Sequence, residues 1–575
     1  MKTSNELKKL LYDIDHRGYP AYKQTAGQYG FDGYVLSIDH VQGDPFASPS
    51  KVSIKVKGNR AGFPEDYYKE DQRRIALQDL LTRRFYSCTL SLKKKDNGRS
   101  GSGKSGLISS SRPGQEILER SCCVIDRATG DITFRLEVGF PAFGRSINSK
   151  ELIYMLFDLM PDYVEGAFYY HNNEEKKYRE VLELADDQLA IRNKLDELGL
   201  CAFIADGAVL PRQSGVSDRP MKEAVPFKSP DSLKLSLELP HAGRITGMGI
   251  RKGITLIVGG GYHGKSTLLK ALERGVYDHI KGDGREYVIT ERSAVKIRSE
   301  DGRCVHGEDI SMFINDLPDG RDAKHFYTED ASGSTSQAAN VIEAIECGSR
   351  TLLIDEDTCA TNFMVRDELM QRVIKKEQEP ITPFIERMEQ LYKELGISCI
   401  LVAGSSGAFF RIADTVVQID RYIPYDITER AKEEYSKLMK DALISVKDTC
   451  VPEVRRIPSD VRTVKKGDRI KTKTHGRDGF SINREEVDIR YLEQITDTEQ
   501  TSALAQIVRI AVCELIDGKR SFNEIIDIIE ERLDNKGVEV LCGSMPYCGL
   551  ARPRRQEIAG TLNRCRFMEI KKPAH

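Results

Sequence analysis

A glycine-rich segment near the middle of the chain has the spacing of a phosphate-binding loop, Gly-x-x-x-x-Gly-Lys-Ser. Its residues are Gly259, Gly260, Gly261, Tyr262, His263, Gly264, Lys265, Ser266 and Thr267. Glycines let backbone N–H groups close around phosphate oxygens, and the N-terminus of a following helix adds partial positive charge. We expect Lys265 to reach the β- and γ-phosphates of ATP and the Ser266 hydroxyl to bind Mg²⁺.

Two adjacent carboxylates, Asp355 and Glu356, follow an apolar run at residues 351–354. In a nucleotide site Asp355 would hold Mg²⁺ through its waters, and Glu356 would orient or deprotonate the attacking water. A strand that simply ends in a solvated acidic pair has the same local sequence. The phosphate loop upstream in the same region favours the catalytic interpretation.

A third candidate anion site is the turn formed by Ser332, Gly333 and Ser334, which opens a predicted helix over 338–347. The free N–H groups at a helix N-terminus bind anions, and a Ser-Gly-Ser turn lets a phosphate approach them closely. This turn lies between the phosphate loop and the acidic pair.

Residues 98–105 match the phosphate-loop pattern a second time, but their flanks differ. Charged residues precede this segment, and Arg112-Pro113-Gly114 follow it, so that neither a buried strand nor a regular helix is predicted. The segment is either a solvated Gly/Ser/Lys linker or a mobile basic arm that contacts nucleic-acid phosphates. A second ATP site is not expected.

The elements that must position these residues fall into three regions. Residues 1–175 are predicted to form an N-terminal α+β domain with strands at 34–38, 52–56 and 132–138. Residues 176–430 alternate strands and helices, which predicts an α/β nucleotide domain with a mainly parallel sheet. A strand over 253–258 and a helix over 268–275 flank the phosphate loop there. Residues 431–575 are predicted to be mostly helical.

The third region also carries local basic residues. They are Arg462, Lys465, Lys466, Arg469, Lys471, Lys473 and Arg477. A solvated segment and a flexible nucleic-acid contact both fit this composition. Arg552, Arg554 and Arg555 precede a predicted helix and fit either a charged cap or a basic pore lining.

Composition sets limits on the possible function. The chain has 575 residues, 40% of them hydrophobic and 30% charged, with a net charge of −2, so nucleic-acid binding would have to come from local patches. We expect no membrane span, since no run approaches about 18 apolar residues. Thirteen cysteines without a Cys-x-x-Cys pair predict a reducing, cytoplasmic setting and neither a zinc site nor a disulfide framework.

The motifs together resemble those of the ATP-binding cassette (ABC) class. The usual signature appears as residues 331–335, and the stretch after the acidic pair, residues 357–362, keeps the register of that class. More closely, the chain is similar to the soluble predicted ATPases of the ABC class, a family that includes a trypanosome mitochondrial RNA-binding protein associated with RNA editing. The stretches that carry this resemblance are residues 38–46, 259–270, 331–339, 355–367 and 551–555.

The resemblance implies a head-to-tail homodimer, in which the signature of one subunit closes over ATP held by the other. Ser332 and Gly333 would then contact the γ-phosphate in trans. The chain departs from the class at two points: the usual glutamine between loop and signature is absent, and residues 404–406 stand where a histidine is usual. Asp309 or Ser311 is a candidate for the first role and His263 for the second, while Phe227 is a candidate for stacking on adenine.

Two functions follow. The first is a homodimeric ABC-type ATPase whose ATP cycle controls binding of RNA or another nucleic acid. The second is a nucleotide-dependent switch or assembly factor that acts on a protein partner. Because phosphate contacts weaken steeply with salt, the salt dependence of binding separates the two.

Overall fold

The computed structural model of the chain describes residues 1–93, 101–366, 373, 379–404, 406–438, 451–452, 455–461 and 470–571. Two compact units divide it. The first combines Met1–Asp186 with Arg532–Arg552, and the second combines Asp187–Glu531 with Pro553–His575. The residues beyond 430, predicted as one C-terminal region, are thus divided between the two compact units. The boundaries of the three predicted regions remain a prediction. Among the described residues no helix is long and apolar enough to cross a membrane.

The first unit is an α+β structure. Its strands are β1 (Lys2–Thr3), β2 (Gly27–Gly30), β3 (Tyr34–His40), β4 (Ser50–Val56), β5 (Ile108–Ser109), β6 (Glu116–Ile117), β7 (Cys123–Ile125), β8 (Ile132–Val138), β9 (Ala142–Phe143) and β10 (Ser146–Ile147). Its helices are α1 (Ser4–Asp13), α2 (Gly58–Ala61), α3 (Asp71–Lys93), α4 (Ser149–Ile153) and α5 (Met160–Phe168), and α6 (Glu175–Glu197) begins in it. A π-helical turn, Tyr154–Leu159, joins α4 to α5.

The main sheet of this unit has the order β1-β2-β3-β4-β8-β5, with β7 also paired to β8. All of these pairs are antiparallel except β1 with β2. In β8, alternate apolar residues such as Phe134 and Leu136 are buried, as a strand with one face on a core requires. Helix α3 covers that face, where the ring centroids of Phe85 and Phe134 lie 4.5 Å apart.

The second unit contains the phosphate loop. Its strands are β11 (Leu200–Ala205), β12 (Arg212–Ser214), β13 (Ser217–Pro220), β14 (Lys234–Leu239), β15 (Gly243–Arg251), β16 (Ile254–Val258), β17 (Asp278–His279), β18 (Val288–Thr290), β19 (Val295–Ile297), β20 (Val305–Glu308), β21 (Phe326–Thr328), β22 (Thr351–Asp355), β23 (Ser398–Val402), β24 (Thr415–Asp420), β25 (Ile423–Asp426), β26 (Pro458–Val461), β27 (Thr472–Thr474), β28 (Gly479–Ile482), β29 (Glu485–Asp488) and β30 (Met568–Ile570). Its helices are α7 (Lys265–Arg274), α8 (Gly333–Glu346), α9 (Thr361–Met364), α10 (Phe384–Leu395), α11 (Thr428–Leu438), α12 (Thr498–Ile510), α13 (Phe522–Lys536) and α14 (Arg555–Leu562). Helix α13 continues into the first unit.

The central sheet of the second unit has the order β19-β22-β23-β16-β24-β25. Its described pairs from β19 to β24 are parallel, and only β25 joins antiparallel. Strands β22 and β23 are buried along their whole length, which explains their uninterrupted apolar sequence. The mainly parallel sheet predicted for the α/β class is confirmed. A separate antiparallel sheet, β14-β15-β11-β18, lies in the same unit.

The C-terminal part of the second unit is mainly helical but also contains a three-stranded antiparallel sheet, β27-β28-β29. Short alternating strands between turns give only a weak sequence pattern, so the helical prediction did not include them. Buried ion pairs join this part to the nucleotide region. Arg456 contacts Glu308 at 2.9 Å and also pairs with Glu346, and Arg564 pairs with Glu300. Such pairs explain why residues 455–461 and 553–571 fold with the P-loop region as one unit.

Candidate nucleotide-binding site

Parallel strand register places the phosphate loop beside the acidic pair. In the central sheet Asp355 of β22 is level with Val402 of β23, and Val402 is level with Ile257 of β16. Neighbouring strands lie about 4.8 Å apart, so Asp355 is two strand spacings, or about 10 Å, from the strand that leads into the loop. The carboxyl ends of these strands form the edge at which open α/β sheets bind ligands.

The loop at 259–264 has its donors free. No N–H group of residues 260–264 donates a hydrogen bond to another group in the described part of the chain. The Lys265 ammonium instead donates to the carbonyl oxygens of Gly259 and Gly260, at 2.8 and 2.9 Å. Unpaired amides beside a lysine at the start of a helix are suited to phosphate oxygens.

The second match to the loop pattern has its donors occupied. The N–H groups of Ser102, Lys104 and Gly106 donate to the carbonyls of Ala142, Pro45 and Gly139, at 2.7–3.0 Å. Because these amides are consumed within the protein, this segment cannot surround phosphates as the first loop can. Residues 101–106 are hydrogen-bonded to two other loops, so the description of this part as a flexible linker or a mobile arm is wrong, while its contact with nucleic-acid phosphates stays a prediction. Residues 98–100 lie outside the described residues.

The hairpin between β24 and β25 packs against the phosphate loop at 259–264. A side chain at Gly264 would meet the Tyr422 ring at 2.8 Å, and a side chain at Gly259 would meet the Ile419 carbonyl. Gly264 also has a φ of 103°, which L side chains rarely adopt. A side chain at either glycine would collide with the hairpin, and at Gly264 it would also be strained by the backbone conformation. The phosphate loop and the hairpin are thus closely packed.

His263 is fixed on the same hairpin. Its Nδ1 lies 3.0 Å from Asp420 and 3.2 Å from the N–H of Arg421, while its carbonyl accepts from the Tyr422 N–H at 3.0 Å. The imidazole ring and backbone of His263 therefore connect the phosphate loop to the β24–β25 hairpin. This arrangement explains its place in the motif without the compensating catalytic role considered from the sequence. Tyr262, next to it, is 99% exposed with a φ of 63°.

The acidic pair separates into a buried and an accessible carboxylate. Asp355 is buried, and its Oδ1 accepts from the Asp357 N–H at 3.2 Å. Glu356 is partly exposed, and its Oε2 accepts from the Gly404 N–H at 2.7 Å. Asp355 thus has a second carboxylate oxygen that does not accept this bond, and the Glu356 side chain is held by the backbone of Gly404. Of the candidates for the usual histidine position, Ser405 lies outside the described residues.

The Ser-Gly-Ser segment forms the N-terminus of α8, which begins at Gly333 and not at the predicted position 338. Ser332 is the exposed N-cap residue, and its hydroxyl lies 3.0 Å from that of Thr335. Ser334 donates to Asn362 at 2.7 Å, and the side chain of Gln337 accepts from the Ala360 N–H at 2.9 Å. These bonds connect the turn, in the same chain, to the segment that follows the acidic pair.

A cavity of about 1250 Å³ opens beside the loop and α7. It is lined by Tyr262, Gly264, Lys265, Ser266 and Thr267 of the loop, by Tyr422, and by residues of the 210–227 and 477–495 segments. Phe227 lines it too but is 4% exposed, so little of the ring is available to stack on adenine. Tyr422 is 53% exposed there. The volume is sufficient for a nucleotide.

Arg285 lines the cavity within a buried ionic cluster. Its Nε donates to Asp283 at 2.8 Å, and Arg212 donates to the other oxygen of Asp283 at 2.8 Å. Burial would raise the pKa of Asp283, but His279 and Arg285 hold that pKa well below its ordinary value. Arg285 therefore stabilises the turn at 282–286.

The arginines near the C-terminus are engaged in ion pairs. Arg554 caps α14 through Glu557, and Arg555 contacts Asp527 and Glu530, both at 2.6 Å. This geometry favours the charged-cap interpretation over a basic pore lining. In the basic stretch, Lys471, Lys473 and Arg477 are exposed. Arg462, Lys465, Lys466 and Arg469 lie outside the described residues.

Sequence reasoning missed two supports of the site: the Gly404 N–H that holds Glu356, and the turn at Asp420–Tyr422 that holds the loop. Arg421 and Tyr422 have φ values of 48° and 70°. Glycine or asparagine usually marks such backbone, so Arg-Tyr gave no turn signal. The position of Gly404 after the β23 strand could have identified the first support, since loops at that edge face the ligand.

Comparison with known proteins gives three consecutive matches to family models. They are "ATPase of the ABC class N-terminal" over residues 4–171, "P-loop domain" of the ABC ATPases over 174–454, and "MRB1590 C-terminal domain" over 471–571. An uncharacterized protein of Methanocaldococcus jannaschii, MJ1628, is 34% identical over 229 residues, which are 38% of this chain and 50% of that protein. The chain thus matches about half the length of this curated relative.

Among solved structures, cbiO1 from Clostridium perfringens, described as part of the ABC transporter complex cbiONQ, is similar to a portion of the chain. The match has 15% identity and a TM-score of 0.24, and it covers 36% of this chain and 94% of that one.

Proposed function

The chain belongs to the ATPases of the ABC class, and on that premise we propose that it binds and hydrolyses ATP at composite sites in a cytoplasmic homodimer, coupled to RNA binding. The observation that carries the ATPase proposal is the phosphate loop itself. Its N–H groups are unpaired and its lysine stands at the start of α7. Strand register places Asp355 and Glu356 at the same edge of the sheet.

The residues present fit Mg²⁺ with ATP. Ser266 offers an exposed hydroxyl at the start of α7, and Asp355 has one carboxylate oxygen that does not accept from Asp357. Hard oxygen donors of this kind, together with phosphate oxygens, are what Mg²⁺ prefers. Bound there, the ion would neutralise charge on the β- and γ-phosphates.

The chain's own residues supply the remaining steps. Lys265 exchanges the carbonyls of Gly259 and Gly260 for phosphate oxygens when ATP enters. Glu356, oriented by the Gly404 N–H, accepts a proton from the attacking water. The water oxygen bonds to the γ-phosphorus as the bond to the β–γ bridging oxygen breaks, which yields ADP and phosphate. The exposed Ser332 and the partly exposed Gly333 of the second subunit would contact the γ-phosphate in trans.

The ATPase proposal is tested with two variants and their controls. Lys265→Ala should abolish tight ATP binding, whereas Lys393→Ala, at an exposed lysine of α10, should not. Glu356→Gln should keep ATP binding but lose about 100-fold or more in turnover, because the general base is removed. Asp357→Asn removes the neighbouring charge and should retain most of the activity. Equal turnover in Glu356→Gln and wild type would contradict the assignment.

The homodimer is tested with the same Glu356→Gln protein. With hydrolysis blocked, saturating ATP should hold two copies together, and light scattering should report twice the monomer mass. A Glu356→Gln protein that remains monomeric in ATP would rule out the composite site.

The RNA proposal rests on the family resemblance and on the exposed Lys471, Lys473 and Arg477. ATPase rates are measured with single-stranded RNA, double-stranded RNA and DNA at two salt concentrations. Stimulation by RNA that is lost at high salt supports RNA coupling. Rates indifferent to all three would favour the second candidate, a switch acting on a protein partner, which the net charge of −2 also fits.

A further inference from the structure

Three loops of the first unit meet at one surface. They are residues 42–47, 101–107 and 139–147, the middle one being the loop that matches the phosphate pattern without having free amides. Lys104 donates through its N–H to Pro45 at 2.9 Å, and Ser102 donates to Ala142 at 2.7 Å. The middle loop thereby fastens the other two together.

Side chains and close backbone contacts add to this fastening. Gln42 accepts from the Phe140 N–H at 3.1 Å and donates to the Asp44 carbonyl at 2.9 Å, and the Ser102 hydroxyl accepts from Gly144 at 2.9 Å. A side chain at Gly139 would overlap the Lys104 carbonyl. The three loops are thus held in one conformation by their own hydrogen bonds.

The surface that these loops form exposes two aromatic rings. Phe46 is 67% exposed and Phe143 is 64% exposed. A side chain at Gly103 would lie 3.1 Å from the Phe46 ring, and one at Gly101 would meet the backbone of Ala142, next to Phe143. Gly101 and Gly103 are two residues apart in the chain, so their Cα atoms are at most about 7 Å apart. The loop segments that bear Phe46 and Phe143 therefore contact neighbouring positions of the middle loop.

Positive charge accompanies the rings. Lys104 is exposed at the middle loop, and Arg145 is exposed at the tip of the β9–β10 hairpin, two residues after Phe143. The carboxylate of Asp44 is directed into its own loop, where it accepts from the N–H groups of Phe46 and Ala47 at 2.8 and 3.1 Å. Burial raises the pKa of Glu137, which interacts with Lys104. Two exposed cations, of which Lys104 also interacts with Glu137, thus accompany the two exposed rings.

We propose that Phe46 and Phe143, with Lys104 and Arg145, form a base-stacking site for single-stranded RNA on the first unit. The inference rests on the proposed RNA coupling and names a surface for it, remote in sequence from the basic stretch at 462–477. Aromatic faces stack on unpaired bases of any sequence, and adjacent cations contact the phosphates between them. A duplex would not bind the rings, because its bases are already stacked on one another.

The test measures the affinity of the full chain for a fluorescein-labelled 20-nucleotide single-stranded RNA and for the same RNA annealed to its complement. Phe46→Ala/Phe143→Ala should weaken single-strand binding by about tenfold for each ring, and leave duplex binding unchanged. Tyr12→Ala, which removes an aromatic side chain 57% exposed on α1, is the matched control and should change neither affinity.

The cations are tested by salt dependence. Lys104→Ala/Arg145→Ala should reduce the slope of log affinity against log salt by about 1.4, the value for two phosphate contacts on a single strand. Lys150→Ala, at an exposed lysine of α4, should leave the slope unchanged. Circular dichroism and ATP binding should match wild type in every variant, since all the substituted side chains are exposed.

The outcomes separate the inference from the proposed function. If wild type binds the single strand and Phe46→Ala/Phe143→Ala binds it equally well, the stacking site is overturned while RNA coupling stands. If only the cation variant loses affinity, the surface binds by charge alone and the stacking assignment is again overturned. If wild type binds no RNA, the RNA half of the proposed function fails as well.

Discussion

Gly264 joins the phosphate loop to α7, and its environment excludes any side chain. Its φ of 103° is unfavourable for an L residue, and the Tyr422 ring occupies the space where a Cβ atom would go. Gly261, three residues earlier, has no neighbouring atom within 4 Å of a Cβ and no positive φ. The two glycines of the motif thus differ in role: Gly264 is required by the fold, whereas Gly261 leaves the space beside the loop open.

Substitution of each glycine should therefore have different effects. We expect Gly264→Ala to lower the free energy of unfolding of the second unit by about 1–2 kcal/mol, because alanine is strained at this φ and must displace Tyr422. Gly261→Ala should change that free energy by less than about 0.5 kcal/mol. Urea unfolding followed by circular dichroism measures both, and equal losses in the two variants would contradict the explanation.

In the second unit, Asp206 directly follows strand β11, and its carboxylate binds the segment that contains the cavity-lining residue Phe227. Asp206 accepts from the N–H and the hydroxyl of Ser229, both at 2.7 Å, and from Thr246 at 2.7 Å. Burial would raise the pKa of Asp206, but these hydrogen bonds and Lys234 lower it to about 2. The segment that carries Phe227 is thereby anchored to β11 and β15.

The stabilisation by Asp206 should depend on pH in the acid range. The pKa is lower in the folded state than the ordinary 3.8, so the ionised carboxylate stabilises the fold above about pH 4, and the effect is lost as pH falls towards 2. At pH 7 Asp206→Asn should cost about 2 kcal/mol, from 1.36 kcal/mol for each unit of pKa.

Urea unfolding at pH 7 and pH 3 provides the measurement. The difference between wild type and Asp206→Asn should shrink at the lower pH. Asp231→Asn, at an exposed carboxylate nearby, should leave stability unchanged at both values. A difference for Asp206→Asn that stays constant from pH 7 to pH 3 would show that packing, and not charge, explains its effect.

The whole molecule is expected to work as a pair of copies, and complementation tests this directly. Lys265→Ala removes the loop lysine, and Ser332→Glu places a negative charge on the exposed signature turn; each protein alone should be inactive. In a mixed dimer, one site combines the intact loop of one copy with the intact turn of the other. Equal mixing should therefore restore about a quarter of wild-type ATPase activity, since half of the dimers carry one active site of two.

Absence of any recovery, with mixed dimers present in ATP, would show that each copy completes its own site. Ser332→Ala is the matched control for the charge. It keeps the turn and adds no repulsion, so it should retain more activity than Ser332→Glu.

Much of the site was predictable because its residues are close in sequence. The loop at 259–267 and the acidic pair at 355–356 each occupy one short stretch, and an apolar run before each predicts a buried strand. The turn at 332–334 was likewise predictable from its small residues before a helix. The alternation of strands and helices over 176–430 predicted the mainly parallel sheet, and the resemblance of the motifs to a known class predicted the family.

Contacts between distant residues were not predictable in this way. Three sets of contacts are of this kind: the Gly404 N–H that holds Glu356, the Asp420–Tyr422 turn behind His263, and the union of residues 42–47 with 101–107 and 139–147. They join positions far apart in the chain, up to 158 residues for Arg421 and His263. The two matches to the phosphate-loop pattern show the limit most clearly. Flanking sequence separated them, but only tertiary structure showed why. Folding occupies the amides of Ser102, Lys104 and Gly106 with carbonyls of other loops and leaves those of 260–264 without a donor bond among the described residues. Local sequence therefore determined which backbone could bind phosphate, and long-range hydrogen bonding decided which of the two loops still has the donors to do so.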